Sequence, residues 1–270
     1  MQSIEYEEQQ RQLIKTWKNK RPSVISKSLD IALSPATRLV KKVIPIAAIQ
    51  GVLDFSSMAA EWLTDTIDIT RDGNVKNIEE LKSKDLALSD GLANGVHNWA
   101  IGIATIEGGV TGGAGLPGLV VDIPAIVTLA LRTIHKIGVC YGYEVTSKED
   151  REFILGVMAA SGSNDMSEKI KALATLRSIE VNLSKQACKS LATKTTQDRM
   201  SHDAAIIGIK SLAKQLGLNL TQRKTLQAIP AVGAFVGASV NGWYIKEVGW
   251  AARRSFQERW LIDNGKPFSE

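Results

Sequence analysis

Residues 113–118 read GAGLPG, which has the G-x-G-x-x-G spacing of a dinucleotide-binding turn. A turn of that kind follows a strand, opens a helix, and is followed about 20 residues later by an acidic side chain that holds a ribose. Here the preceding residues, WAIGIATIEGG (99–109), have a helical pattern, and Pro117 removes a backbone N–H from the cradle. No carboxylate stands near the ribose-binding position, and the next one beyond it is Glu144. A nucleotide is therefore not predicted, and neither is any other cofactor.

The glycines have a steric interpretation instead. Small residues recur four positions apart at Gly109 and Gly113, and again at Gly233 and Gly237. Positions four apart share one face of a helix, and small residues on that face allow two helix backbones to approach closely. The two glycine pairs therefore predict closely packed helices.

The first glycine pair also predicts a helical hairpin. Its turn contains Gly115 and Gly118, and its arms span roughly 92–111 and 122–143. A membrane span needs about 20 predominantly apolar residues, but glycines, Pro117 and Asp122 interrupt the first apolar segment, 108–131, in which Asp122 is the one charge. The second apolar segment, 225–245, carries no charge but contains proline and several polar residues. A buried core hairpin is favoured, with a re-entrant hairpin that enters the membrane partway as the alternative and a bilayer span as the least favoured.

Aromatic and basic side chains are interleaved in the C-terminal run GWYIKEVGWAARRSFQERW (242–260). Trp243 and Trp250 are seven residues apart and share a helix face, and Arg253 and Arg254 follow directly. Aromatic rings beside cations are typical of a membrane interface. The alternative is that the rings pack on the hairpin and leave the cations in solvent.

Residues suited to catalysis or metal binding form no known motif. Three scattered histidines give no metal-ligand spacing, and no Gly-x-Ser-x-Gly elbow occurs, so no metal ligand or catalytic residue is assigned. The polar residues that could line a site between the hairpin helices are Glu107, Asp122, Arg132 and His135. Asp122 fits the N-cap of the second helix, while Glu107 and Arg132 fit an ion pair across the hairpin.

The periodicity is helical along nearly the whole chain, and no strand pattern of useful length occurs. This predicts an all-α fold, a single helical domain with Gly-rich helical hairpins and a kinked C-terminal helix that Pro230 and nearby glycines interrupt. The capping box at Thr146 to Glu149 opens a further helix. Other helices are expected over 3–19, 85–106, 166–183, 185–197 and 201–216, and two more lie within 34–63, where Pro45 kinks or ends the first.

We divide the chain into a less distinctive N-terminal segment, 1–84, a helical domain, 85–262, and a tail, 263–270. The first helix is expected to be loosely attached. The net charge of +5 suits an anionic membrane surface, but the basic residues form no nucleic-acid-binding module, so no specific nucleic acid is expected. The polar N-terminus has no secretory signal, and two cysteines make no disulfide framework. These features predict a cytoplasmic protein.

Two segments resemble the EcsC-like family of bacterial proteins. One is 99–144, with Asp122-Ile123-Pro124 and Tyr141-Gly142-Tyr143, and the other is 228–260, with AIPAVGAFVGASVN. The resemblance extends over 85–262. It implies a related fold and a neighbourhood in membrane transport, since the family takes its name from a gene beside an ABC transporter. It implies no catalytic residues.

These features together predict a non-enzymatic accessory protein at the inner face of the cell membrane. Its glycine-rich helices would bind lipid, a membrane surface or a membrane-protein partner. Two alternatives stay open, a hydrolase acting on lipid or peptide with the polar residues named above, and a lipid-carrying module with an apolar groove. The oligomeric state is not predicted.

Overall fold

The computed structural model describes residues 2–22, 66–113, 116–145, 147–163, 165–189 and 230–266. Within these ranges the chain forms seven α-helices and a 3-10 helix and contains no strand, which confirms the predicted all-α class. The helices expected over 34–63 and 201–216 lie outside the described residues. The elements in chain order are α1 (Gln2–Asn19), α2 (Ile67–Asp72), the 3-10 helix (Ile78–Ser83), α3 (Leu86–Gly113), α4 (Leu116–Cys140), α5 (Lys148–Ser161), α6 (Met166–Lys189) and α7 (Pro230–Asp263).

The centre of the fold is the predicted helical hairpin, formed by α3 and α4, with the long helix α7 packed along it. The largest interface of α7 is with α3, and smaller ones join it to α4 and α5. Buried alanines at 93, 100 and 104 line one side of α3. Such small side chains allow neighbouring helices to lie close together.

Helix α4 begins earlier than the sequence predicted. It starts at Leu116, so Asp122 lies in its second turn and is not its N-cap. Pro117 explains the difference, because proline is tolerated in the first turn of a helix, where its missing N–H would have no partner. Farther along, apolar residues at helical spacing, among them Ile126, Ile134 and Ile137, are buried in the core.

The start of α5 confirms the predicted cap with a shift of one residue. Ser147 is the N-cap, its Oγ accepts a hydrogen bond from Asp150 N at 3.0 Å, and the Asp150 carboxylate accepts one from Ser147 N at 3.2 Å. The capping acid is thus Asp150, where we expected Glu149. Helix α6 runs from Met166 to Lys189 without the break that we predicted near residue 184.

Helix α7 is assigned without a gap from Pro230 to Asp263. Pro230 is its first residue, so the predicted interruption falls at the start of the helix and not within it. Gly233 and Gly237 both lie inside this helix. None of the helices in the described ranges combines the length and the apolar character needed to cross a membrane.

Helix α1 is packed against the rest of the protein and is not loosely attached as expected. Ile14 is completely buried, and Lys18 Nζ lies 2.5 Å from Glu258 Oε1 of α7. Near the other end of α1, Lys266 Nζ lies 2.6 Å from Glu7 Oε1. The helix therefore contributes to the same core as the hairpin.

Candidate functional site

The glycine-rich stretch 108–118 is helical on both sides of a short gap. Gly109 and Gly113 lie in α3, Gly118 lies in α4, and Gly115 is outside the described residues. A helix, not a strand, precedes the GAGLPG sequence, so the arrangement that cradles a dinucleotide is not formed there.

Among the glycines whose surroundings the structure describes, two others of α7 make the closest helix contacts. A Cβ atom at Gly249 would lie 2.0 Å from His97 Cδ2, and one at Gly242 would lie 2.5 Å from Thr105 Oγ1. The two glycines are seven residues apart, so they share the face of α7 that meets α3. The steric interpretation therefore holds for glycines that the sequence analysis did not single out.

The contacts of these two glycines also give the register of the helices. Residue numbers rise along α3 as they fall along α7, so the two helices are antiparallel. Continued along both helices, the same register predicts that Gly237 lies level with Gly109 and Gly233 with Gly113. The two glycine pairs found in the sequence then fall on opposite sides of one interface.

A third close approach involves Gly138 of α4, where a Cβ atom would lie 2.6 Å from Phe256 Cζ. The Phe256 ring packs between two tyrosines, with centroid distances of 6.3 Å to Tyr141 and 5.8 Å to Tyr143. Gly142 between them has a φ of +88°, which an L side chain rarely adopts. The Tyr141-Gly142-Tyr143 segment is therefore a left-handed turn that aims both rings at α7.

A buried carboxylate, Asp90, connects four parts of the chain. Its Oδ1 accepts hydrogen bonds from Tyr141 OH and from Gln257 Nε2, the latter at 2.6 Å. Its Oδ2 accepts one from Tyr6 OH at 2.5 Å. The pKa values of both tyrosines are raised, first by burial and then by the charge and hydrogen bonds of Asp90, so both hydroxyls keep the protons that they donate.

The sequence analysis missed Asp90, although a signal was present. Asp90 is the one charged residue between Leu86 and Ile106, the first 21 residues of α3. A lone charge in such a setting is buried only when it has partners. The partners come from positions 6, 141 and 257, which the sequence alone did not bring together.

Two arginines of the C-terminal aromatic–basic stretch, Arg253 and Arg254, are buried. Arg254 Nη1 donates to Gln10 Oε1 at 2.9 Å and to Gln257 Oε1 at 2.7 Å. Arg253 Nη1 donates to Asn94 Oδ1 at 3.0 Å, and both arginines are buried. These two cations are therefore held inside the protein, an arrangement that neither of the two sequence interpretations described.

Trp250 lies at the centre of this stretch. Its ring meets the His97 ring edge-on at 5.5 Å, and the guanidinium carbons of Arg253 and Arg254 lie 4.7 Å and 5.2 Å from its centroid. His97 Nε2 donates to the backbone oxygen of Lys246 at 3.0 Å, and burial lowers the pKa of this imidazole to about 4. The imidazole is therefore neutral at pH 7 and acts as a packing group between the two helices.

Of the four polar candidates of the hairpin, the structure describes the side chains of Glu107, Arg132 and His135. Glu107 and Arg132 are exposed, while His135 is buried, which lowers its pKa to about 4. Ten residues separate Asp122 from Arg132 on α4, which corresponds to about 15 Å along the helix axis. The ion pair predicted between Glu107 and Arg132 stays a prediction. Among the described residues, no group of three or more His, Cys, Asp or Glu could hold a metal ion.

An open pocket of about 340 Å³, here called the tryptophan pocket, lies where the end of α1 meets α7 and the chain between α5 and α6. Three indoles line it, from Trp17, Trp243 and Trp250. Trp243, Trp250 and Arg254 belong to the C-terminal aromatic–basic stretch that the sequence indicated. The charged groups in the lining are Lys20, Arg21, Lys169, Lys246 and Arg254 with one carboxylate, Glu247.

Lys169 fixes one wall of the tryptophan pocket. Its Nζ donates to the backbone oxygens of Trp17 and Lys20, the latter at 2.9 Å, and so satisfies carbonyls at the end of α1. The same Nζ lies 4.7 Å from the centroid of the Trp17 ring. Burial lowers the pKa of Lys169 to about 8, so the amine is still mostly charged at pH 7.

These features describe a class of all-helical protein in which a glycine-rich hairpin, a long final helix and a buried polar hub surround an aromatic and basic pocket. The chain belongs to the EcsC protein family, whose model matches residues 8–261. The match begins within α1, so the family region includes the N-terminal helix that the sequence resemblance left out.

The chain is also similar to an uncharacterized protein, YdbA, of Bacillus subtilis (strain 168). The two are 25% identical over 193 residues, which cover 71% of this chain and 65% of the relative. The chain therefore spans less than two thirds of the length of that curated relative. No solved structure matches this chain significantly.

Proposed function

We propose that this protein is a non-enzymatic accessory protein that associates peripherally with the inner face of a cell membrane. The contact surface is the outer face of α3, defined by Trp99, Gly102 and Ile106. The observation that carries the proposal is the exposure of its two large apolar side chains, 54% for Trp99 and 68% for Ile106. Positions 99, 102 and 106 project from one side of a helix, so the two side chains form a common surface.

The chemistry of the outer face favours a membrane surface as its partner. No charged residue occurs between Gly91 and Ile106, so nothing on this part of the helix would have to be desolvated as an ion. Exposed apolar surface in a soluble environment commonly marks an interaction site, and tryptophan favours the boundary between lipid and water. The net charge of +5 adds an attraction to anionic lipid. A membrane protein, such as a transporter, would meet the same face.

A pair of matched variants tests this proposal by vesicle co-sedimentation. Ile106→Gln removes an exposed side chain from the outer face, and Ile67→Gln removes one that is 76% exposed on α2. We expect Ile106→Gln to weaken partition by about 1.4 kcal/mol, roughly tenfold, because the isoleucine no longer transfers into lipid. Ile67→Gln should bind as the wild type does. Equal binding by all three proteins would rule out the outer face as the contact.

The position of Trp99 gives an independent spectroscopic reading. The difference in emission between the wild type and Trp99→Phe isolates the signal of this indole from those of the other tryptophans. We expect that signal to shift to shorter wavelength with vesicles and to be quenched by brominated lipid, because the ring leaves water. A signal that vesicles leave unchanged would contradict the proposal.

A further inference from the structure

We propose that the tryptophan pocket binds an amphiphile with an anionic phosphate headgroup, with its phosphate among the pocket cations and its apolar part against the indoles. This inference rests on the proposed function, because it names the lipid chemistry that a protein at the membrane surface would recognise. The site is separate from the outer face of α3, so the two can be tested independently.

The charge of the pocket selects an anion. Five cationic side chains and one carboxylate line it. Lys20, Arg21 and Lys246 are exposed at the surface, whereas Lys169 and Arg254 are buried. Lysine and arginine are the side chains that bind phosphate oxygens most strongly, and their hydrogen bonds gain strength in the lower dielectric of a partly enclosed site. Cations at both the rim and the wall would therefore guide and then hold a phosphate.

Lys169 has a donor to offer such a ligand. An ammonium group has three N–H donors, and two of them go to the backbone oxygens of Trp17 and Lys20. These two bonds fix the position of the nitrogen, so the third donor is held in place before a ligand arrives. A preorganised donor of this kind reduces the entropy that binding costs.

The indoles distinguish an amphiphile from a bare phosphate ion. Lys169 Nζ lies 4.7 Å from the centroid of the Trp17 ring, and Arg254 Cζ lies 5.2 Å from the centroid of the Trp250 ring. Apolar walls and cations are therefore adjacent. The volume of about 340 Å³ lies at the lower end of the range of small-molecule pockets, enough for a headgroup and the first carbons of its chains. A phosphate with an apolar portion would contact both kinds of wall, whereas inorganic phosphate would contact the cations alone.

A soluble probe tests the pocket without a membrane. Short-chain dibutanoyl phosphatidic acid is titrated into the wild type while tryptophan emission is followed, and inorganic phosphate is titrated in parallel. The pocket variant is Arg21→Gln with Lys246→Gln, and its control is Lys76→Gln with Lys84→Gln, two exposed lysines outside the pocket with the same loss of charge. We expect the pocket variant to lose about 25-fold in affinity, since each cation contributes roughly fivefold near an anionic headgroup. The control should keep the wild-type affinity.

Vesicles separate this inference from the proposed function. Phosphatidylcholine vesicles are compared with vesicles that also contain phosphatidic acid. We expect the pocket variant to lose only the increase in binding that phosphatidic acid causes, while Ile106→Gln loses binding to both kinds of vesicle. Binding of the soluble probe together with no binding to any vesicle would support the pocket, assign a soluble phosphate ester as its ligand, and refute the proposed function.

Two results would overturn the inference. One is equal affinity for inorganic phosphate and for the short-chain lipid, which would show that the indoles contribute nothing. The other is equal loss in the pocket variant and in the control, which would show that net charge alone attracts the anion. Circular dichroism confirms that each variant keeps its helical content, and the substituted side chains are exposed, so folding is not expected to change.

Discussion

The inner and outer faces of α3 differ in how closely other parts of the chain approach them. On the inner face, Asp90, His97 and Ala100 are buried against other helices, and a Cβ atom at Gly249 of α7 would collide with His97. On the outer face, a Cβ atom at Gly102 would have nothing within 4 Å. The inner face of α3 is therefore fixed by packing. On the outer face, no described contact requires a glycine at position 102.

This difference between the two faces indicates that the outer face of α3 is the candidate surface for a partner. Every polar atom of the Asp90 carboxylate has a hydrogen-bond partner on the inner face, so that face is explained by folding. The indole of Trp99 and the side chain of Ile106 stay 54% and 68% exposed, so folding buries only part of their apolar surface. Their presence on the outer face is better explained by a partner than by stability.

The largest expected effect concerns the inner face. Asp90→Ala should destabilise the protein by about 4 kcal/mol in urea unfolding, because it leaves the hydroxyls of Tyr6 and Tyr141 and the amide of Gln257 without their buried acceptor. As a control, Asp72→Ala removes a carboxylate from an exposed ion pair with Arg71 and should cost less than about 1 kcal/mol. Similar costs for the two variants would mean that the buried hub contributes no more than a surface pair.

The second effect tests the close approach of α7 to α3. Gly249→Ala should cost about 3 kcal/mol, measured by the same unfolding experiment, because the new methyl group would lie 2.0 Å from the His97 ring and the helices would have to separate. Alanine forms helices better than glycine does, so helix propensity alone would not destabilise the variant. A loss of stability would therefore come from the contact with His97. A stability equal to that of the wild type would contradict the tight contact.

The fold class and the hairpin could be predicted because both depend on local patterns. Helical periodicity and the low charge of residues 108–131 indicated α3 and α4, and the glycine spacing indicated close packing. The start of α4 was predicted six residues late, because a proline follows both Leu116 and Asp122 within two residues and the sequence does not say which one opens the helix. Boundaries follow from small local differences, whereas helical character adds up over many residues.

The site was predicted only in part, because its geometry depends on contacts between distant residues. The sequence picked out Trp243, Trp250 and Arg254, but their spacing fixes a common region of one helix and does not say what that helix meets. Trp17 and Lys169, which complete the tryptophan pocket, stand 226 and 74 residues before Trp243 in the sequence. Only the packing of α1 and α6 brings them to Trp243.

The smallest effect completes the comparison by adding the same methyl group to the outer face. Gly102→Ala should stabilise the protein by about 0.5 to 1 kcal/mol in urea unfolding, because alanine restricts the unfolded chain and meets nothing within 4 Å in the folded one. Gly95→Ala should behave in the same way, since a Cβ atom there also meets nothing within 4 Å. If Gly102→Ala instead destabilised the protein as Gly249→Ala is expected to, another part of the chain would have to cover the outer face. Trp99 and Ile106 would then be unavailable to a membrane, and the proposed contact surface would be lost along with the contrast between the two faces.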